Sequence, residues 1–282
     1  MTAAAVDGPF TLGPAPVADE AALIERVLAH VAADSRDLGP DVVRRPVRDY
    51  LDPTRFDEER RALFHHHPVV VGHTAQLPEP NSWFTTDDAG PPVLVTRNEA
   101  GEIAAFLNVC RHRGAPVAEG AAGTARRLTC RYHGWTYDLD GQLRGLPLAD
   151  GFDGLDRSCH GLTPLPAAER HGLIFVRLEV GGPPIDLDVV LGGVGRELAH
   201  RQPEQHLLAC RSWDVECNWK VLLDNFLEVY HLPMLHAANI GPHFEPNRIL
   251  LDDYGQNRRR IDPRTSIREL AERPRHSWRL RD

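Results

Sequence analysis

Cys110-Arg111-His112-Arg113-Gly114-Ala115 and Cys130-Arg131-Tyr132-His133-Gly134-Trp135-Thr136-Tyr137, with seventeen residues between His112 and Cys130, decide how the rest of the chain is read. Each string supplies one thiolate and one imidazole from a short loop. A [2Fe–2S] cluster with two Cys on one iron and two His on the other needs two such loops, facing each other across the cluster. Gly114, Pro116, Gly123 and Gly134 permit tight backbone turns close to the inorganic sulfides. Neutral imidazoles in place of two thiolates reduce the negative charge and raise the reduction potential, which suits a ferredoxin or flavin donor. The competing reading is a structural Cys₂His₂ zinc site, although C-x-H is not a common zinc-finger spacing.

Outward from these loops the texture is β-rich. Pro68–Gly72, Val93–Arg97, Ile103–Val109, Trp135–Leu139, Gln142–Leu146 and Gly172–Leu178 read as short strands between Gly, Pro, Asn and Asp. Asp140-Gly141 predicts a tight hairpin turn. Upstream, residues 1–15 read as a loose arm, and the spacing of Ala22, Leu23, Val27, Leu28 and Val31 predicts a helix from Asp19 to about Leu38. Asp52 and Pro53 predict the start of a second helix, reaching Phe64. His65-His66-His67 falls at its end, where three successive side chains diverge, so a polar helix terminus is expected there rather than a shared metal. Gly181-Gly182-Pro183-Pro184 is a composition break. Beyond it a helix is expected near Leu187–His200, a strand over Leu207–Val215, and a long helix from Trp219 to about Tyr230. The expected division is an arm and helix at 1–45, a cluster-binding domain at 46–178 and a further domain at 179–282.

The further domain holds Cys217-Asn218-Trp219-Lys220-x3-Asp224-Asn225-x2-Glu228-x-Tyr230-His231-x4-His236. On a helix, Asp224, Leu227, Glu228 and His231 share one face. Pro233 should break that helix and turn His236 back towards His231. Two imidazoles and a carboxylate with open positions make the facial triad of non-haem Fe(II) oxygenases. Taken alone, a His-x4-His pair on a polar helix face is a weak signal.

The two Cys/His strings closely resemble the Rieske domains of ring-hydroxylating oxygenases. The later string is similar to the catalytic domain of the α-subunits of the same family. The resemblance implies an α+β fold, with a β-rich Rieske [2Fe–2S] domain and a partial helix-grip (START-like) catalytic domain. It makes Cys110, His112, Cys130 and His133 the cluster ligands, and His231 and His236 ligands of a mononuclear Fe(II). It gives Glu228 the place of the acid that links the cluster histidines of a neighbouring subunit to the iron, and sets Asn225 close to that iron. It further implies a reductase or ferredoxin donor, O₂ and a small organic co-substrate (an aromatic compound or a quaternary amine), mono- or dioxygenase chemistry, and a head-to-tail homotrimer. Members of the family take a third iron ligand, a carboxylate, from far downstream. Only 46 residues follow His236 here, so the expectation is a member cut short inside its catalytic domain. Two functions from different classes follow: an oxygenase, or an electron carrier with no competent iron site. Should the chain hydroxylate, Asp252 or Asp253 is the candidate to complete the site.

Composition bounds these readings. Of the 282 residues, 42% are hydrophobic and 26% charged, the balance of a globular protein. Thirty-two Lys and Arg against 40 Asp and Glu give a net charge of −8, which argues against nucleic acid or anionic lipid as partner. No apolar run reaches the length of a membrane span and no secretory signal is recognisable, so the cytoplasm is the expected location. Five cysteines make no complete disulfide framework, and Cys159, Cys210 and Cys217 are expected to be small buried residues.

Overall fold

The computed structural model describes residues 20–39, 41–200 and 207–278. The arm at 1–15 lies outside them. At the N-terminal side run three helices: α1 (Glu20–Ala33), α2 (Arg48–Leu51) and α3 (Pro53–Glu59). Pro53 opens α3, as its sequence predicts, and the helix continues into one π-helical turn at Arg60–His65. Among the described residues the chain forms two compact units. One gathers the segments up to Asp52, from Leu191 and from Trp213 onwards; the other holds Pro53–Val190 and a stretch ending at Ser212.

The second unit is antiparallel β. Its strands are β1 (Val69–His73), β2 (Ser82–Thr86), β3 (Val93–Arg97), β4 (Ile103–Leu107), β5 (Ala122–Thr124), β6 (Arg127–Thr129), β7 (Thr136–Asp138), β8 (Leu143–Gly145), β9 (Pro164–Leu165), β10 (Ala167–Arg170) and β11 (Leu173–Val176). They form a five-stranded sheet in the order β5-β2-β3-β4-β9 and two three-stranded sheets, β1-β11-β10 and β6-β7-β8. Alternation puts Phe84, Val93, Val95, Ala105 and Leu165 into one core with Ile174 and Val176. Trp83, Leu94 and Phe106, on the opposite faces of the same strands, enter another core with Leu128, Trp135 and Tyr137. The expected β7–β8 hairpin forms. Gly141 sits at φ +76°, where a side chain would strain the backbone, and a Cβ there would lie 2.4 Å from the Phe106 ring. The Gly181–Pro184 break lies within this unit and follows a turn over 179–182, closed by the Gly182 N–H to the Glu179 carbonyl at 3.1 Å.

In the other unit, α4 (Leu187–Leu191, which reaches it at Leu191) and α5 (Gly193–His200) replace the single helix expected at 187–200. Gly192, at φ +49°, separates them. The strand expected over Leu207–Val215 does not form. Next come α6 (Trp219–Phe226), α7 (Leu232–Leu235), the hairpin β12 (Leu250–Tyr254) and β13 (Asn257–Ile261), and α8 (Ile267–Leu270). The hairpin and α8 fall in a stretch whose Arg-rich composition hid them. Leu23, Ile24 and Val27 of α1 pack against Leu250, Ile267 and Leu270. A buried ionic group backs this core. Asp252 accepts from Arg26 at 2.8 Å and from Arg259 at 2.9 Å, and Arg259 also pairs with Glu197.

Cys159, Cys210 and Cys217 are all exposed, contrary to the expectation of burial. Cys159 lies in a single 3₁₀ turn, Arg157–His160, and Cys210 and Cys217 in irregular backbone, where no apolar periodicity draws a small side chain inward.

Candidate metal centres

The two cluster loops close in the same way. In the first, the Cys110 N–H donates to the Ala115 carbonyl at 2.8 Å and the Gly114 N–H to the Cys110 carbonyl at 2.9 Å. In the second, the Cys130 N–H donates to Trp135 O at 2.9 Å and the Gly134 N–H to Cys130 O at 2.9 Å. Gly114 and Gly134 both lie at φ +73°. This left-handed position, which glycine adopts without strain, turns each loop so that its Cys points inward and its His lies two or three residues on. Asn108 pins the first loop from behind. Its side-chain oxygen accepts from the N–H groups of Val117 and Ala118, and its amide donates to the Ala118 carbonyl.

Cys110 and Cys130 are 3% and 1% exposed, and both are free thiols. Burial pushes the Cys130 thiol up, backbone N–H groups at Tyr132 and His133 oppose this, and the neighbouring Cys110 thiol raises it further. Two buried thiols side by side, with no cation among the side chains to favour ionisation, suit a position where iron supplies the charge. The imidazoles of His112 and His133 lie with ring centroids 4.5 Å apart. His112 stacks on the Trp135 indole at 5.0 Å with the planes 8° apart. Burial first, then His133 and Arg113, lower the basicity of His112, which keeps it in the neutral form that binds metal. Its Nδ1 is buried without a hydrogen-bond partner, and such an orphan acceptor is costly unless it has a ligand.

Among the described residues, no three His, Cys, Asp or Glu side chains converge on a single-ion position. A Cys₂His₂ zinc site requires four. A pair of adjacent thiols and a pair of adjacent imidazoles suit the two ends of a [2Fe–2S] cluster. Tyr137 adds a group that the sequence reading assigned no role. Its side chain is fully buried, its oxygen lies 3.4 Å from Cys110 Sγ, and it accepts the Arg111 N–H at 3.1 Å. Its place four residues after His133 was the available signal.

The second constellation forms differently from expectation. Asn218 caps α6 by accepting the Lys220 N–H at 3.0 Å, but the helix ends at Phe226, so Glu228 and His231 do not share its face. The reason is local. Glu228 Oε2 accepts the His231 N–H at 3.2 Å, so a side chain takes the amide that a longer helix would bond. Pro233 stands second in α7 rather than breaking a helix, since its missing N–H costs nothing in a first turn. His231 and His236 then flank α7 with ring centroids 5.3 Å apart. The other Glu228 oxygen bonds His231 Nδ1, which leaves Nε2 as the atom open to a metal. Burial raises the Glu228 carboxyl, but the hydrogen bonds from the His231 side chain and backbone and from Tyr230 outweigh it, and the net shift is downward.

Asn225 is exposed on α6, and no hydrogen bond ties it to the histidine pair. Asp224 accepts the Tyr50 hydroxyl at 2.6 Å. Asp252 and Asp253 are engaged elsewhere: the first holds two arginines, and the second accepts the Gly255 N–H at 2.7 Å. Neither completes a site with His231 and His236. In the His65–His67 run, His66 lies 3.0 Å from Glu179, and the rings of His66 and His67 meet edge to face.

Comparison with known proteins agrees with this geometry. Residues 67–157 match the Rieske [2Fe–2S] domain, and residues 201–281 match the ring hydroxylating alpha subunit (catalytic domain). These two matches define a Rieske-type iron–sulfur protein with a stretch of oxygenase catalytic domain. Over these segments the chain carries a Rieske [2Fe–2S] domain and a stretch of the ring-hydroxylating alpha-subunit catalytic domain, and the relatives it matches include oxygenase subunits. It is 33% identical to the oxygenase subunit of glycine betaine monooxygenase from Chromohalobacter salexigens over 87% of this chain and 54% of that one. It is 32% identical to the α-subunit of biphenyl 2,3-dioxygenase from Rhodococcus jostii over 65% of this chain and 41% of that one. Among solved structures, a quaternary ammonium Rieske monooxygenase aligns with TM-score 0.71 at 26% identity, over 78% of this chain and 62% of that one. Naphthalene 1,2-dioxygenase from Rhodococcus aligns with TM-score 0.64 at 30% identity, over 80% and 51%. The chain spans about half the length of the curated relatives it matches.

Proposed function

We propose that this chain is the terminal oxygenase component of a Rieske system, in which Cys110, Cys130, His112 and His133 hold a [2Fe–2S] cluster and His231 and His236 hold a mononuclear Fe(II). The observation that carries the reading is the pairing of two adjacent buried thiols with two adjacent imidazoles, one of which keeps an orphaned buried nitrogen. When bound, the two groups supply one-electron storage and the activation of O₂ for hydroxylation or dealkylation of an organic substrate. Trp135 fixes the plane of the His112 ring, and Tyr137 offers a hydroxyl to Cys110. Glu228 sets the tautomer of His231 by occupying Nδ1, and it is the carboxylate we assign to the link with a neighbouring subunit's cluster. Asn225 is assigned a place beside the iron. A reductase or ferredoxin donates the electrons, the substrate is a quaternary amine or an aromatic compound, and the assembly is a ring of three copies in the cytoplasm. Among the described residues no helix is long and apolar enough to cross a membrane.

One observation favours a second reading, an electron carrier with a working cluster alone: among the described residues, no third metal-binding side chain joins His231 and His236. Iron and acid-labile sulfide per chain separate the two, since the oxygenase holds three irons and the carrier two. Anaerobically purified protein given a reductase, O₂ and a panel of aromatic acids and quaternary amines should convert substrate in proportion to reductant consumed. One zinc per chain without sulfide overturns both readings.

A further inference from the structure

The helix that leads to the second histidine pair is held at few points. Asn218 and Trp219 are half-buried, Lys220 is buried, and residues 221–227 are all exposed. Val221, Leu222, Leu223 and Phe226 therefore form no core that would fix the far end of α6. That end is where the histidine segment begins. The Leu227 N–H closes the last turn on the Leu223 carbonyl at 2.9 Å, and the next residue, Glu228, bonds the His231 backbone and ring. A tilt of α6 is thus passed to His231 through a short link. Metal ligands keep their geometry only where a supporting contact locks them.

One residue of α2 grips α6 at both ends. The Tyr50 carbonyl accepts the Asn218 side-chain amide at 3.0 Å, at the helix N-cap, and the Tyr50 hydroxyl donates to Asp224 at 2.6 Å, in the last turn. Between these contacts the Lys220 ammonium lies 5.8 Å from the Tyr50 ring centroid and 5.2 Å from that of Trp219. Both distances are within the range at which an aromatic face attracts a cation. A hydroxyl on a carboxylate is a charge-assisted bond, stronger than one between neutral groups. It is also the main cause of the upward shift of the Tyr50 phenol pKa. Water alone would satisfy an exposed carboxylate, so what the phenol adds is direction.

Resting on the mononuclear-iron reading above, we propose that Tyr50 is a positioning residue for that site: its hydroxyl, through Asp224, sets the end of α6 and with it the placement of Glu228 and His231. His236 has a separate hold, in the buried Leu232 of α7 and in the Gly241 N–H on its own carbonyl at 2.9 Å. Loss of the Tyr50 hydroxyl therefore disturbs one histidine of the pair and spares the other. The test uses the full chain with its cluster and Fe(II) ions as probe, by anaerobic equilibrium dialysis and by EPR after addition of nitric oxide. Tyr50→Phe keeps the ring beside Lys220 and removes only the hydroxyl. It should weaken Fe(II) binding about fivefold, broaden the nitric oxide EPR signal and speed hydrogen exchange at Leu227. Asp224→Asn, which keeps an acceptor for the hydroxyl, should fall between Tyr50→Phe and the parent. Tyr254→Phe is the control. It removes a hydroxyl-to-carboxylate bond of the same kind in the same unit, from Tyr254 to Glu197 at 2.7 Å, which ties β12 to α5 rather than to α6. Its Fe(II) affinity and EPR signal should match the parent. Unchanged affinity and signal in Tyr50→Phe overturn the proposal. So does an equal loss in Tyr254→Phe, since general loosening of the unit then accounts for the effect. A parent chain that takes up no Fe(II) beyond its cluster, or whose uptake His231→Ala does not reduce, is the separate failure of the iron reading, and the proposal falls with it.

Discussion

The two histidine pairs of this chain have opposite surroundings. His112 and His133 sit on loops of matching hydrogen-bond pattern, backed by a core that buries Trp135, Tyr137, Leu128 and both cysteines. His231 and His236 flank a one-turn helix next to Phe226, Leu227, Tyr230, Met234 and Leu235, all of them exposed. The first pair carries its support within about thirty residues of sequence. The second pair has its tautomer set by Glu228, but its apolar neighbours face water, as they do on a surface that packs against something else. A metal site can therefore be locally complete in its ligands and still differ greatly in how firmly the fold holds it.

The largest expected effect tests that difference directly. Cys110→Ser or Cys130→Ser should abolish the red-brown colour and the low-average-g EPR signal, because each removes a proposed cluster ligand from a buried position that has no substitute. His231→Ala should leave both unchanged and lower the iron content by one per chain. Loss of colour in His231→Ala would mean that the two centres are not held independently.

Packing gives the next test. Phe84 is buried in the core formed with Val93, Val95 and Ile174, so Phe84→Ala should cost about 3–5 kcal/mol in denaturant unfolding. Met234 is 84% exposed, so Met234→Lys should change stability by no more than about 0.5 kcal/mol and lower the binding of an apolar dye. A cost of more than about 2 kcal/mol for Met234→Lys would show that the helix face is covered in solution.

Tyr137 sharpens the picture of the first centre. Its oxygen already accepts the Arg111 N–H, so its own hydrogen is free to donate to Cys110 Sγ, and a metal-bound thiolate can only accept. That bond favours the more negative, reduced cluster. Removing about 1 kcal/mol of such preference corresponds to about 40 mV for one electron, so Tyr137→Phe should lower the potential by roughly that amount while retaining the EPR signal. An unchanged or raised potential would rule out this role.

The same contrast explains what the sequence made legible. Cys110, His112, Cys130 and His133 stood out because these proposed ligands, the turn glycines and the strands on either side all lie close together along the chain. Val93–Arg97 was readable to the residue, since its apolar, Val-rich start is buried on both faces and the strand is bounded by Pro92 and Asn98. β12 and β13 were not, because Arg258, Arg259 and Arg260 make the stretch Arg-rich and polar, and only the fold shows Arg259 buried between Asp252 and Glu197. The helix from Trp219 was overextended for a related reason. Periodicity placed Glu228 on the α6 face but could not report that its carboxylate caps His231 and ends the helical run.

The smallest effect lies in that hairpin and appears only in alkali. The Tyr254 hydroxyl donates to Glu197 at 2.7 Å. Burial and then this carboxylate push the Tyr254 pKa up to about 12, with Arg259 acting in the opposite direction. In the unfolded chain the phenol ionises near 10. Above that pH the unfolded state has released a proton that the folded state keeps, so stability falls as pH rises from about 10 to about 12 and is fully present below. Tyr254→Phe removes the hydrogen bond and this titration together. At pH near 8 the variant should be less stable than the parent by about 1 kcal/mol. As pH rises through the window the parent loses that advantage, so the gap should narrow. Urea midpoints measured near pH 8.5 and near pH 11.5 provide the check, and because Tyr50 and Tyr137 titrate equally in both proteins, the difference isolates Tyr254. A gap that stays constant or widens would mean that Tyr254 does not hold its proton through Glu197.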